Sequence, residues 1–324
     1  AAEVTNSPNK YTGRVIIPSY VTYNGEEYNV TAIESSAFSG CSGLTYLTIP
    51  GSVMRIGKEA FLDCSGLASL TIPNSVTTIE EKTFDGCSGL TSMIIPNGVT
   101  SIGVEAFYGC SGLISVTIPA SMTKIGLRAF DGCNRLTSVQ ISNIAAWCDI
   151  SYGYGSTSFF WDYGNPLLYA NHLYLGDEEI KELVIPKNVK TIKGLAFATC
   201  DGLTSVTISD SVSYIDAFAF FDCRSLNSVT IGSGIKQIGH QAFSCCKEIS
   251  NVYCWAEKVP NTNNNTFGDS YIEYATLHVP AESMEAYRVA APWKNFGSIV
   301  ALNDEDIPIM PEPEKCAVPT ICYE

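Results

Sequence analysis

The sequence predicts a repeat solenoid built mostly from short β-strands, and three observations carry this prediction. The pattern Ala-Phe-x-x-Cys recurs at a spacing of 23 residues, positions with a period of two follow each copy, and a proline ends each of the first strands. A fixed period of this length is typical of solenoids, in which each unit must stack on its neighbours to bury its apolar face. We expect about ten coils with short parallel strands, 3₁₀ turns and a small helical cap at the C-terminus.

The repeat places a phenylalanine and, three residues later, a cysteine in every regular coil. Stacking the coils aligns these side chains into two columns along the solenoid axis. Column cysteines point the same way, which orients them badly for disulfides, so we expect buried free thiols that act as small hydrophobes. The two columns consist of Phe38, Phe61, Phe84, Phe107, Phe130, Phe197, Phe220 and Phe243, with Cys41, Cys64, Cys87, Cys110, Cys133, Cys200, Cys223 and Cys246.

Within one repeat the elements follow in a fixed order. Leu47 and Ile49 have the spacing of a strand, and Pro50 ends it because proline lacks the N–H that a continuing ladder needs. A second extended stretch leads to Ile56 and then to Gly57, which permits a tight corner. The Ala-Phe-x-x-Cys segment is too short for a stable helix, so it is expected to form a single helical or 3₁₀ turn.

Residues 21–30 interrupt the first coil with the sequence V-T-Y-N-G-E-E-Y-N-V. Asn24-Gly25 lies between two alternating stretches, which is the signal of a β-hairpin on a type I′ turn. The hairpin either protrudes from the rod or covers its open end. We predict the capping role.

Residues 143–172 form a larger interruption that is dense in aromatic side chains separated by Gly and Ser. Exposed aromatic side chains at this density are typical of recognition surfaces, for protein ligands or for sugar rings. The alternative is that Trp147, Phe159 and Leu168 pack on the flank of the rod. The sequence therefore gives one candidate ligand-binding set, Tyr152, Tyr154, Trp161 and Tyr163.

The outward strand positions carry columns of hydroxyl side chains. Threonine at positions such as Thr207 and Thr230, and serine at Ser205 and Ser228, suit the solvated face of a sheet. A structural surface is the simpler interpretation. A hydroxyl-lined face that binds glycans or peptide is the alternative.

Charge and motifs restrict the possible functions. The net charge of −14 disfavours nucleic acid and anionic lipid, because the sequence shows no Lys/Arg cluster that offsets it. No apolar stretch approaches 18 residues, so we expect no membrane insertion. The three histidines fall in different coils, and no catalytic, nucleotide-binding or metal-binding motif is present. We therefore expect no catalytic residues, no metal and no cofactor.

The two ends of the chain differ in character. Residues 1–302 are expected to form one solenoid, in which residues 265–302 cap the last coil and Ala281 to Ala290 form a helix. Residues 303–324 are acidic and rich in proline, which predicts a linker followed by the start of a truncated segment. Cys316 and Cys322 could pair within this tail, and the sequence leaves that question open.

The repeat text A-F-x-G-C-S-G-L-T-S-V-T-I-P-x-S-V-T-x-I-G resembles the BspA-like leucine-rich repeats of surface proteins from gut and oral anaerobic bacteria, over roughly residues 14 to 300. The resemblance implies a right-handed leucine-rich-repeat solenoid. It also implies a secreted or cell-surface location attached to the outer membrane, for a mature monomeric chain without its signal peptide. The expected partner is a host extracellular protein or another macromolecule. A glycan-binding module for polysaccharide capture and a passive stalk that presents another domain are the alternatives.

Overall fold

The computed structural model describes residues 1–7, 10–153 and 164–303, which form a β-solenoid of about 11 turns. The helices are α1 (Ile144–Cys148), α2 (Leu167–Ala170) and α3 (Met284–Val289), with 3₁₀ helices at Ile272–Tyr274, Ala281–Ser283 and Trp293–Asn295. The strands, in chain order, are β1 (Ala2–Val4), β2 (Gly13–Ile16), β3 (Tyr20–Tyr23), β4 (Glu26–Ile33), β5 (Leu44–Thr48), β6 (Arg55–Ile56), β7 (Ser69–Thr71), β8 (Thr78–Ile79), β9 (Ser92–Ile94), β10 (Ser101–Ile102), β11 (Ser115–Ile118), β12 (Lys124–Ile125), β13 (Ser138–Ile141), β14 (Ser151–Tyr152), β15 (Leu173–Leu175), β16 (Glu178–Glu179), β17 (Glu182–Ile185), β18 (Thr191–Ile192), β19 (Ser205–Ile208), β20 (Tyr214–Ile215), β21 (Ser228–Ile231), β22 (Gln237–Ile238), β23 (Asn251–Cys254), β24 (Thr276–Val279) and β25 (Ser298–Ala301).

Each regular coil contributes one strand to a main sheet and a two-residue strand to a second sheet. The main sheet has three hydrogen-bonded runs, β2-β5-β7, β16-β15-β13-β11-β9 and β17-β19-β21-β23-β24-β25. The second sheet contains β4-β6, β14-β12-β10-β8 and β18-β20-β22. Neighbouring coils pair in parallel and one repeat apart, as Ser115 does with Ser138. The predicted solenoid of short parallel strands is therefore confirmed. The hairpin of β15 and β16 is an antiparallel exception within the main sheet.

The core is a stack of aromatic rings flanked by aliphatic and thiol columns. Phe61 and Phe84 stack with ring centroids 5.3 Å apart and an interplanar angle of 6°, and the other column phenylalanines repeat this arrangement. In the irregular coil, Leu167 and Ala170 are buried three residues apart, which is the spacing of phenylalanine and cysteine in a regular coil. Among the described residues the ring stack consists of two blocks, one from Phe38 to Phe130 and one from Phe197 to Phe267.

The Ala-Phe-x-x-Cys segments form turns with i to i+3 hydrogen bonds, as predicted. In the first, the Cys41 N–H donates to the Phe38 carbonyl at 3.0 Å. The residue two positions before the phenylalanine has positive φ, for example 55° at Lys82 and 55° at Glu105. A left-handed conformation costs about 1–2 kcal/mol for such residues. Hydrogen bonds to the next coil accompany it, and the Lys82 ammonium lies 3.1 Å from the Glu105 carboxylate.

The two ends of the solenoid are closed by different means. At the N-terminal end, Tyr11 occupies the aromatic column, with its ring centroid 5.0 Å from that of Phe38. The hairpin of β3 and β4 does not cover this end, because residues 20–29 are all exposed. The predicted capping role is wrong, since residues 1–7 and 10–17 pack against the core at this end. At the C-terminal end, Trp293 and Tyr287 are fully buried.

The predicted C-terminal helix is divided between a 3₁₀ turn, Ala281–Ser283, and α3. Tyr287 faces the core, Met284 is half-buried and Ala291 is exposed, so only part of the predicted apolar side is covered. Neither α1 nor α2 was predicted from the sequence. In α1, the Asn143 side chain accepts a hydrogen bond from the Ala146 N–H at 2.9 Å, which satisfies one free donor of the first turn.

Candidate functional site

Tyr152 is the one member of the predicted ligand-binding set that lies within the described residues. It belongs to β14 and is 8% exposed. Its ring and that of Trp147 pack edge to face, with ring centroids 5.9 Å apart. Its register partner is Ile125, so it occupies the buried isoleucine position of the second sheet. The burial of Tyr152 could have been predicted from the sequence, because Tyr152-Gly153 matches Ile125-Gly126 of the preceding coil. The expectation that Tyr152 faces solvent is wrong for this reason.

Tyr154, Trp161 and Tyr163 lie outside the described residues, and their role in binding stays a prediction. The solenoid coil is complete without the segment that contains them. The Gly164 N–H donates to the Gly153 carbonyl at 3.2 Å, and the Gly153 N–H donates to Ile125 at 2.7 Å. These two bonds close the coil at the point where residues 154–163 are inserted.

The flanks of the inserted segment are anchored to the following coil. The indole N–H of Trp147 donates to the Ala196 carbonyl at 2.7 Å, and Trp147 is 1% exposed. The Asn165 amide, fully buried, donates to the Leu195 carbonyl at 2.6 Å. The alternative interpretation, that this region packs on the rod, is therefore correct for Trp147. Leu168 is half-buried against the core, and Phe159 lies outside the described residues.

In the hairpin of β3 and β4, all of β3 and the first four residues of β4 are exposed. Tyr20 is paired with Asn29, Val21 with Tyr28, and Tyr23 with Glu26. Because opposite residues of an antiparallel pair share a face, Val21, Tyr23 and Tyr28 lie on one face of the hairpin. Their exposed fractions are 38%, 67% and 37%. An exposed aromatic face of this kind is typical of a recognition element.

Exposed apolar side chains are concentrated around this hairpin. Seven of the sixteen large hydrophobic side chains that are exposed in the described residues fall between Ile16 and Met54. The Ser52 hydroxyl donates to the Ser19 carbonyl at 3.3 Å, which brings the turn before Met54 to the root of the hairpin. On the adjacent strand, the Arg14 guanidinium lies over the Tyr46 ring, 4.6 Å from its centroid. These residues extend the apolar surface beyond the hairpin.

The hydroxyl columns are present on the outer face of the main sheet, although Thr230 is buried there. Ser92, Ser115 and Ser138 are in register on neighbouring strands, and Thr207 is in register with Thr230. Toward the C-terminal end the threonine column changes to an aromatic pair, in which Tyr253 stacks on His278 with centroids 4.3 Å apart. The register confirms the ladder. It leaves open whether the ladder binds a ligand.

The three histidines make separate contacts. His172 lies 2.6 Å from a Glu179 carboxylate oxygen, His240 contacts the Phe218 ring, and His278 is stacked on Tyr253. Each histidine lies in a different coil. The described part of the chain contains no group of three or more His, Cys, Asp or Glu residues placed to hold a metal ion. Within it, too, every helix is too short or too polar to span a bilayer.

Comparisons with known proteins give one family. The family model for BspA type leucine-rich repeat regions matches residues 26–149 and 170–288, with six copies. A leucine-rich cell surface protein from Faecalibacterium prausnitzii is similar in structure, with a TM-score of 0.44 and 23% identity over 93% of this chain and 90% of that chain. A leucine-rich repeat protein of Treponema pallidum has a TM-score of 0.41 and 21% identity, over 76% of this chain and 82% of that chain. A leucine-rich repeat protein from Bacteroides ovatus has a TM-score of 0.34 and 25% identity, over 90% of this chain and 92% of that chain.

No curated protein sequence matches this chain. The family model covers most of the chain and coincides with the coils that the structure shows, from β4 to α3. Its repeats generally serve interaction with other macromolecules and are generally not catalytic. On this evidence the chain belongs to the family of BspA-type leucine-rich repeat proteins.

Proposed function

We propose that this protein is a non-catalytic recognition and adhesion module of the bacterial cell surface, and that it binds a host extracellular protein through its N-terminal hairpin. The observation that carries the proposal is the exposure of Tyr20, Val21, Tyr23 and Tyr28 on the arm of the hairpin, residues 20–29, in which every residue is exposed. Exposing these side chains does nothing for the stability of the solenoid. Tyrosine offers a large contact area at low entropic cost and is enriched at the centres of protein interfaces.

The hairpin geometry favours a protein ligand over a sugar. Its outer edge is β3, which pairs only with β4 among the described strands, so its free N–H and C=O groups can add an extended segment of a partner. Glu26 and Glu27 lie beside the tyrosines and favour a partner surface that carries lysine or arginine.

The predicted set in the inserted segment, Tyr154, Trp161 and Tyr163, is retained as a second candidate contact. Its aromatic density supports it, and a glycan ligand would favour it because sugar rings stack on aromatic faces. A passive stalk is the remaining alternative, and it requires that neither aromatic group binds. The surface location is inferred from the family, whose members in gut bacteria include a cell surface protein.

The test is binding of the purified chain to an array of host extracellular-matrix proteins and glycans. Three variants are compared with the parent chain: Tyr20→Ser with Tyr23→Ser and Tyr28→Ser; Tyr154→Ser with Trp161→Ser and Tyr163→Ser; and, as a control, Tyr108→Ser with Tyr214→Ser and Tyr274→Ser. The control tyrosines are also exposed and lie on other coils. Loss of protein binding in the first variant alone supports the proposal. Loss in the second alone moves the site to the inserted segment, and no binding by the parent chain favours the stalk.

The location is tested on the cells that make the protein. Antibody labelling of intact cells, compared with lysed cells, is expected to give nearly the whole signal without lysis. A signal that requires lysis would contradict the surface location.

A further inference from the structure

The repeat brings together lysines that are far apart in sequence. The Ser213 N–H donates to the Lys190 carbonyl at 2.9 Å, and the Lys236 N–H donates to the Ser213 carbonyl at 2.9 Å. Lys190, Ser213 and Lys236 therefore occupy the same position in three successive coils. Strands in a sheet lie about 4.8 Å apart, so the main chains of the two lysines are separated by about 10 Å.

Two open grooves on this flank are lined by these lysines and their neighbours. Lys190 and Lys193 line one groove, between α1 and β18. Lys236 and Lys258 line the other, a cavity of about 920 Å³ between β22 and the C-terminal end of α3. Lys190, Lys193, Lys236 and Lys258 are named here the lysine row.

The lysine row differs from the other basic residues in lacking carboxylate partners. Elsewhere, Lys58 lies 2.8 Å from Glu81 and Arg224 lies 2.9 Å from Asp222. No member of the lysine row has a carboxylate oxygen within 4.0 Å in the part of the chain that the structure describes. In a chain with a net charge of −14, four unpaired ammonium groups along two grooves of the same flank are an unexpected concentration of positive charge. The sequence alone does not reveal it, because two repeats separate Lys190 from Lys236.

We propose that the lysine row binds a linear anionic glycan, one whose carboxylate or sulfate groups recur along the chain. Charge complementarity supplies the attraction, since an ammonium group presents three donors to such an anion. The remaining groove residues suit sugar hydroxyls: Asn143 and Asn188 in the first groove, and Asn261 and Thr262 in the second. Their amide and hydroxyl groups both donate and accept hydrogen bonds.

The spacing and the surrounding charge favour a glycan over nucleic acid. Duplex DNA carries one charge per about 1.7 Å of its axis. The grooves also contain Asp149 and Glu257, which would repel so dense a polyanion. A polysaccharide with one anionic group per sugar or per disaccharide can place its charges at the lysines and its hydroxyls at the carboxylates. This site is separate from the hairpin of β3 and β4. An experiment can therefore contradict glycan binding at the lysine row without contradicting protein binding at the hairpin, and the reverse.

The test measures binding of the full chain by calorimetry at low and physiological salt. The probes are a heparin-derived oligosaccharide, an oligogalacturonate, neutral dextran of similar length, a DNA duplex, and vesicles containing phosphatidylserine. We expect binding to one or both charged glycans, none to dextran, and weaker binding to DNA and vesicles. The affinity is expected to fall as salt rises, because salt screens exposed charges.

The deciding variant combines Lys190→Gln, Lys236→Gln and Lys258→Gln. Its control combines Arg135→Gln, Lys181→Gln and Lys294→Gln, which are exposed, lack ion pairs in the described residues and change the net charge equally. Because each lost contact is an exposed ion pair, the first variant should lose about tenfold in affinity, and the control less than twofold. Equal losses in both variants, or no binding of either charged glycan by the parent chain, would overturn the proposal. Tighter binding of DNA or vesicles than of glycan would overturn the assigned ligand class.

Discussion

The thiol of Cys87 donates a hydrogen bond to the main-chain carbonyl of Phe61, 3.1 Å away in the preceding coil. The same bond recurs through the column, for example from Cys110 to Phe84 at 3.1 Å and from Cys246 to Phe220 at 3.0 Å. The Phe61 carbonyl is buried and also accepts a hydrogen bond from the Cys64 N–H at 3.1 Å, so the thiol is its second donor. The thiol therefore adds a hydrogen bond between neighbouring coils that alanine at this position could not make.

Replacing Cys87 by alanine is expected to lower the free energy of unfolding by about 1 kcal/mol, because it removes a hydrogen bond between two coils and leaves a small void. Urea unfolding followed by circular dichroism measures the change. Ser88→Ala, at the exposed neighbouring position, should change the stability by less than about 0.5 kcal/mol. Equal stability of Cys87→Ala and the parent chain would show that the bond contributes nothing.

The column thiols are expected to resist alkylation in the native state. Burial raises the pKa of Cys64 and of Cys133 to about 12, and the thiolate is the reactive form. Among the described cysteines only Cys245 is not buried, and its partial burial also raises its pKa. Mass spectrometry after iodoacetamide treatment of a Cys316→Ser, Cys322→Ser chain should find label on Cys245 alone, at a rate that increases with pH. Label on the column cysteines of the folded chain would contradict this picture.

Gly126→Ala is expected to destabilise the solenoid strongly. A Cβ atom there would lie 2.6 Å from the Gly103 carbonyl carbon and 2.6 Å from the Val104 nitrogen, which are main-chain atoms of the preceding coil. Overpacking of this kind typically costs about 1–3 kcal/mol, and here a main-chain shift is required. Gly51→Ala is the matched control, since its Cβ would have open space. A comparison of melting temperatures should show a loss for the first variant and no loss for the second.

Asp85→Asn is expected to raise the melting temperature at neutral pH. Partial burial is the largest cause that raises the pKa of Asp85 above its usual value, so the charged form is disfavoured in the folded chain. The penalty is fully present above the folded pKa and decreases as the pH falls through it. The advantage of the variant should therefore disappear below about pH 3, where the carboxyl is protonated in both states. The exposed Asp177→Asn serves as control, and a lower melting temperature for Asp85→Asn at pH 7 would contradict the argument.

The regular coils could be predicted from the sequence because each residue is constrained by identical neighbours above and below. The columns headed by Phe61 and Cys64 follow directly from the period, and so does the burial of Ile56 and Ile79. The prediction of buried and exposed positions was less accurate in residues 143–172, where the 23-residue period stops. Tyr152 was treated as part of an aromatic loop, although its alignment with Ile125 places it in the core.

The surfaces were harder to predict than the core, since solvent imposes no comparable pattern. The hairpin at Asn24-Gly25 was identified from its turn, but a turn does not determine which way a hairpin leaves the rod. The lysine row depends on which positions of different coils become neighbours. Lys190 and Lys236 became visible as a pair only after the hydrogen bonds through Ser213 had fixed the coil order.

The matching register of successive coils has a genetic consequence. Ser92, Ser115 and Ser138 hold equivalent places, as do Phe84, Phe107 and Phe130. Deleting or duplicating one whole repeat would rejoin equivalent neighbours and keep every column intact, whereas an insertion of any other length must leave the rod as a loop. Unequal recombination between repeats can therefore lengthen or shorten the rod while the hairpin and the C-terminal cap at its ends stay unchanged.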